Sequence, residues 1–172
     1  MAANEEVEEH VHHAHEPFDK MVAGSMAIIA ALLAVVSVLG QHFATEELLA
    51  QAKSSDTWAQ YQAQRIREYS AGVTGELLTQ MRAGPDSIAK YQKDVQKYKK
   101  QTEELSKEAK DLEAERDSHS RKAGRFHFGE VFLEVAIVFS SLSILTKRKQ
   151  LFYAGIICGL IGIAIGVTAI SA

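Results

Sequence analysis

The strongest constraint on this chain is a run of 20 residues, Met21 to Gly40, that holds no charged side chain. About 20 apolar residues in a helix cross the ~30 Å hydrocarbon layer of a bilayer. Two further runs, 128–146 and 151–170, have similar length and character, which weighs against a single buried helix in a soluble domain. The expectation is an all-α membrane protein with three transmembrane helices at 21–40, 128–146 and 151–170.

Between the first and second runs lies a charged middle, residues 41–127, with fifteen basic and fourteen acidic side chains. It is punctuated at Ala83-Gly84-Pro85-Asp86-Ser87. Gly84 is expected to take the left-handed conformation that ends a helix, Pro85 to block its continuation, and Asp86 or Ser87 to cap the next one. The arms on either side have about 40 residues each, roughly 60 Å if helical. Because both arms end in apolar spans, the middle is expected to be a long antiparallel helical hairpin, a coiled-coil stalk standing on the membrane.

On the outgoing arm Ala52, Ala59, Ile66, Tyr69 and Val73 sit at heptad-compatible positions with Leu48 one turn earlier, diluted by Ser55 and Gln62; these are expected to form its seam. Trp58 and Tyr61 lie on an adjacent face, where they widen the hairpin interface or meet another subunit. Gly72 and Gly75 each weaken a helix by roughly 1 kcal/mol relative to alanine, so 70–76 is the expected place for a break. The returning arm is more regular. Ile88, Val95, Thr102, Ala109, Arg116 and Ala123 alternate with Tyr91, Tyr98, Leu105, Leu112, His119 and Phe126 in steps of three and four, against the alternative of a merely solvated charged helix.

In the first span Ala23, Ala27, Ala30, Ala34 and Ser37 form a stripe of small residues. In the third, Gly155, Gly159, Gly162, Gly166 and Ala169 do the same, with two Gly-xxx-Gly pairs. Small side chains let helices approach closely in lipid, where no hydrophobic driving force brings them together. Both stripes are expected to be helix-packing surfaces, within one subunit or, as favoured here, between copies. The second span carries Glu130 and Glu134 on one face. A carboxylate in the membrane is costly, so it should be protonated, paired or turned to a wet interior. Ser37, Gln41 and His42 at the end of the first span, and His127 one turn away, are the expected partners.

Lys147-Arg148-Lys149-Gln150 is a short basic turn between the second and third spans, and such loops stay cytoplasmic. That would place the stalk in the periplasm, although Arg121, Lys122 and Arg125 at the other end of the second span argue the reverse. Residues 1–20 form an acidic tail with His10, His12, His13 and His15. Imidazoles suit Zn and Ni, but the spacing matches no preformed tetrahedral site, so metal binding there is expected to be adventitious. A mobile acidic tail is the plainer reading. Its glutamates replace the basic leader a secretory signal would need.

The net charge of −3 sums unlike segments and leaves no basic face without interleaved acids, so no nucleic-acid partner is expected. Cys158 is the one cysteine and can build neither a disulfide nor a thiolate metal site within the chain. No nucleophile–base set or phosphate-binding glycine loop is present, and no enzyme is expected.

The Glu/His-rich tail, the segment Glu47-Leu48-Leu49-Ala50-Gln51-Ala52-Lys53-Ser54-Ser55-Asp56-Thr57-Trp58-Ala59-Gln60-Tyr61-Gln62-Ala63, and Leu145-Thr146-Lys147-Arg148-Lys149 resemble the bacterial domain-of-unknown-function family 4337 over nearly the whole chain. The resemblance implies an inner-membrane protein with no assigned activity and carries over no catalytic residue. The functional expectation is a homo-oligomeric membrane scaffold or accessory protein, in contact with lipids and an unknown protein partner, without a cofactor. An ion- or proton-conducting assembly using Glu130 and Glu134 is the first alternative, and metal sensing or delivery by the tail is the second.

Overall fold

The computed structural model describes residues 17–170, in three α-helices: α1 Pro17–Gln80, α2 Pro85–Thr146 and α3 Lys149–Ile170. Among the described residues there is no strand. Each helix contains a window long and apolar enough to cross a membrane. The first two apolar runs are segments of longer helices that continue without interruption into the charged middle. The chain divides into two compact units, one holding residues 17–44 and 120–170 of the described chain and the other Thr45–His119.

In the charged unit the contacts between α1 and α2 shift overall to lower numbers on α2 as the number rises on α1, from Gln51 with Arg116 to Gly75 with Tyr91. Gln51 accepts from Nη1 of Arg116 at 2.9 Å, Ser54 Oγ donates to the Ala109 carbonyl at 3.4 Å, and Trp58 Nε1 donates to Glu113 at 2.8 Å. Further along, a Cβ placed at Gly72 would lie 4.0 Å from Val95 Cγ2, and one at Gly75 would lie 3.5 Å from the Tyr91 Cβ. The helix does not break at 70–76 as expected. Gly72 and Gly75 stay helical because they give bulky α2 side chains flat backbone to rest on, which offsets their low propensity.

The α2 side of this contact is the expected seam: Ile88, Tyr91, Val95, Tyr98, Leu105 and Leu112 are half-buried, and Thr102 and Ala109 are buried. The α1 side is a different face from the expected one. Ala50, Ser54, Thr57 and Ala71 are buried, with Tyr61, Gln64, Glu68, Gly75 and Leu78 half-buried between and beyond them. These residues also recur in steps of three and four. Apart from Tyr61 and Leu78 they are small or polar, and that is the physical reason for the choice: the tyrosines and leucines of α2 need shallow ground opposite most of their length. Hydrogen bonds from Ser54, Trp58 and Arg116 then hold the register. Arg116 also binds the Asp117 carboxylate at 2.6 Å, and that hydrogen bond, ahead of the nearby Glu113 and Glu47, holds its guanidinium above the ordinary arginine value.

The turn differs in detail from the expectation. Ala83 N–H bonds the Leu78 carbonyl at 2.9 Å and Arg82 N–H bonds Thr79 at 3.2 Å, closing α1 with Arg82 in the left-handed region at φ 53°. Gly84 has no positive φ; it caps α2 instead, its carbonyl accepting from Ser87 and Ile88, with Pro85 as first helical residue and Asp86 in the first turn. A side chain in this region costs roughly 1 kcal/mol that glycine avoids. Arg82→Gly is therefore expected to stabilise the helix pair by about 1 kcal/mol, read as a raised thermal midpoint by circular dichroism. A lowered midpoint would mean that the Arg82 side chain contributes more than its backbone costs.

In the apolar unit Ile29 of α1 and Leu133 and Ala136 of α2 form the core, joined by Leu33, Val36, Ile137, Cys158 and Ile163. Aromatic and charged side chains close both ends. At one, Phe18 meets Phe152 edge to face at 5.9 Å and Lys147 Nζ lies 2.6 Å from Asp19. At the other, Phe43 stacks on Phe126 at 5.6 Å, Lys122 lies over the Phe43 ring, and Arg125 donates to the Thr168 carbonyl at 3.1 Å. The 26 residues from Phe18 to Phe43 make roughly 38 Å of helix. That suits an apolar layer edged by aromatic and basic anchors at headgroup level.

Candidate functional site

Lateral contact, the chemistry expected of the small-residue stripes, is distributed unequally between them. On α3, Gly155, Gly159, Gly162, Gly166 and Ala169 are all buried inside the chain. Their neighbours are chiefly on α2. A Cβ at Gly162 would lie 2.8 Å from the Gly129 carbonyl oxygen, and one at Gly155 would lie 2.9 Å from Ser140 Oγ and 3.0 Å from the Ala136 carbonyl. On the α1 side, Gly159 faces Ile29 and Gly166 faces Val36. Two backbones this close are held by dispersion contact over their length, the force available where lipid is as apolar as leucine. The glycine face is thus occupied by the chain's own helices and is not free for another copy.

The alanine stripe is placed the other way. Ala23, Ala27, Ala30 and Ala34 are exposed and Ser37 is half-buried, while Val22, Ile29, Leu33 and Val36 face the core. The alanines therefore do not meet the glycines within the subunit. Only 11% of the apolar window of α1 is buried, against 28% for α2 and α3, so α1 is the least covered of the three.

Glu130 and Glu134 do not share an environment. His127 Nδ1 lies 3.4 Å from Glu130 Oε2, and the Glu130 side chain is 24% exposed. Glu134 lies on the outer surface of α2. Of the other expected partners, His42 is exposed with its ring tilted against Phe43 at 5.3 Å, Gln41 is exposed, and Ser37 is half-buried. The local pair is thus formed by the histidine one turn away, while the second carboxylate faces outward from an apolar span.

In the charged unit the residues expected in the seam between the arms face out. Ala52, Ser55, Ala59 and Gln62 are exposed, Leu48 and Ile66 are each 69% exposed, Tyr69 is 75% exposed, and Val73 is exposed. Leu77 and Met81 extend the apolar exposure toward the turn. The heptad is present on α1 but is turned away from the contact with α2. The signal for the true inner face was present as a second three-and-four series of small residues, Ala50, Ser54, Thr57 and Ala71. Hydropathy hides such a series because its members are selected for size. Trp58 is committed within the chain, bonded to Glu113 and edge-on to Tyr61 at 5.2 Å. A groove of about 550 Å³ beside Gly72, Gly75, Tyr91 and Val95 runs along the same unit, without convergent reactive groups.

Among the described residues no three His, Cys, Asp or Glu side chains are grouped to hold a metal ion. His10, His12, His13 and His15 lie outside the described residues. The family model described as a domain of unknown function, DUF4337, matches residues 18–172. No curated protein and no solved structure matches the chain.

Proposed function

We propose, for a chain that belongs to the domain-of-unknown-function family DUF4337 and inherits no activity from that membership, a role as a homo-oligomeric membrane scaffold or accessory protein. In this reading α1, α2 and α3 each cross a bacterial inner membrane. The charged unit is an antiparallel coiled-coil hairpin presented to a protein partner, and the chain performs no catalysis. The basic turn Lys147–Lys149 is cytoplasmic and the hairpin lies on the opposite side.

The observation that supports this most is the outward display of Leu48, Ile66, Tyr69 and Val73 from a helix whose own contact with α2 uses mostly small and polar residues. Burying one such side chain from water is worth roughly 1.5–3 kcal/mol, so four on one face of a helix favour a covering partner. The overall opposed numbering of the α1 and α2 contacts, from Gln51 with Arg116 to Gly75 with Tyr91, supports the hairpin. Purified chain in mild detergent, with detergent and lipid subtracted from the mass, is expected to run as a dimer or larger. A monomer across the accessible concentration range would end the proposal.

Glu134 supports a second reading. A carboxylate on the outer face of an apolar span is costly to leave in lipid, and several copies arranged around it would provide a polar path for ions or protons. In that reading Glu130→Gln combined with Glu134→Gln abolishes ion flux into vesicles containing the protein, at least tenfold below the wild-type rate. Unchanged flux would remove it.

A further inference from the structure

The outward heptad of α1 has one property that identifies its occupant. From Thr45 to Val73 its positions, among them Leu48, Ala52, Ala59, Gln62, Ile66 and Tyr69, are all exposed and none is charged. The charged residues of that stretch, including Glu46, Glu47, Lys53, Asp56, Arg65 and Arg67, all fall on other faces. Solvation alone would not empty one stripe of a water-exposed helix of charge. Self-pairing would. Two copies of a membrane protein share one orientation, so a contact between identical helices is parallel, and across a two-fold axis each residue meets its own counterpart. Any charge on such a seam would face itself.

The same heptad count, carried back along the sequence, lands on Gly24, Ala27, Ala31, Ala34, Val38 and Gln41. Each of these is exposed within its own unit. In lipid the stripe thus presents small residues, which suit close approach, and in water it presents larger apolar ones, which gain from burial. From Thr45 to Val73 the helix is about 29 residues, or roughly 43 Å, and at interaxial distances of ~8–10 Å this part of the stripe covers about 400 Å² per copy, half of the ~800 Å² per partner of a stable interface.

We infer that this stripe is a parallel self-association seam, on which α1 of one copy pairs in register with α1 of a second. The inference rests on the oligomeric reading above and specifies its contact. Copies therefore meet through α1.

The test uses full-length protein carrying Cys158→Ser, in native membranes and in liposomes of the purified chain. Ser55→Cys and Gln62→Cys are expected to form disulfide-linked dimers on mild oxidation, at least fivefold more efficiently than Gln60→Cys and Arg67→Cys. All four sites are exposed in the single chain. Ile66→Lys with Val73→Lys is expected to weaken the dimer at least tenfold in detergent without loss of helix content, since neither side chain is buried within the subunit. Equal crosslinking at all four sites overturns the seam, as does crosslinking to a different protein in native membranes with no dimer in liposomes. A particle that stays oligomeric by mass but never crosslinks at 55 or 62 overturns the seam and leaves the oligomeric reading standing. A monomer overturns both.

Discussion

Gly162→Leu is expected to separate α2 from α3 and lower the thermal midpoint in detergent by on the order of 10 °C. Even the first added carbon has no room. A Cβ at this position would lie 2.8 Å from the Gly129 carbonyl oxygen and 3.1 Å from both Leu133 Cγ and Phe132 Cβ. The reciprocal contact, a Cβ at Gly129 against the Gly162 carbonyl, is 2.9 Å. A flexible side chain can rotate out of such a clash, but a helical carbonyl cannot, so the helices themselves must move apart. Overpacking a well-filled interior costs about 1–3 kcal/mol, and an obstacle made of backbone puts this case at about 3. Lipid offers no compensating hydrophobic drive, so the dispersion attraction forfeited along the whole face is not recovered. Gly124→Ala is the control: a Cβ there meets nothing within 4 Å, and the midpoint should not fall. A Gly162→Leu protein that melts with the wild type would show that the glycine face is not closed inside the subunit.

Phe126→Ala is expected to destabilise the same unit by about 3–4 kcal/mol. Phe126 is 1% exposed, stacks nearly parallel to Phe43 with 7° between ring planes, and rests its Cβ 3.3 Å from where a Cβ on Gly40 would stand. Most of the loss is the cavity left beneath the ring, and roughly 1 kcal/mol belongs to the aromatic pair. A cycle with Phe43→Leu separates the two contributions by thermal or denaturant unfolding in detergent. A coupling of about 1 kcal/mol between the sites is expected. A total effect below ~1 kcal/mol would contradict the burial of this ring, because cavity formation alone exceeds it.

The elements themselves were readable from residue order. Runs poor in charge located the membrane-compatible windows, and Gly84-Pro85 located the break between α1 and α2. The seam on α2 was legible because it is made of tyrosine, leucine and valine against a background of lysine and glutamate. The seam on α1 was not. There the most hydrophobic heptad, through Leu48, Ile66 and Val73, is turned out, and a smaller, more polar one through Ala50, Ser54 and Thr57 is turned in. A rule that buries the most apolar face chooses wrongly when the opposing helix already supplies the bulk. Arg82 is a smaller case: glycine was available two residues later, but helix closure required the left-handed residue at the position Arg82 occupies.

The candidate site divides in the same way. That Gly155, Gly159, Gly162 and Gly166 make a close helix contact was legible in their spacing, since that spacing on a helix has one face. Which helix they would meet was not, because the pattern on one surface carries no information about the surface opposite. Similarly, Glu130 and Glu134 were certain to share a side of α2, yet their separate fates, one beside His127 and one facing outward, depend on how α2 is rotated about its axis by its neighbours.

Local order in the chain therefore decides what short-range forces decide: where helices run, where they must stop, and which residues lie along a common line. Only the assembled structure decides which line is covered, because covering is a property of two surfaces at once. For α1 that choice went to the face whose small residues fit α2, and it left the larger apolar face uncovered.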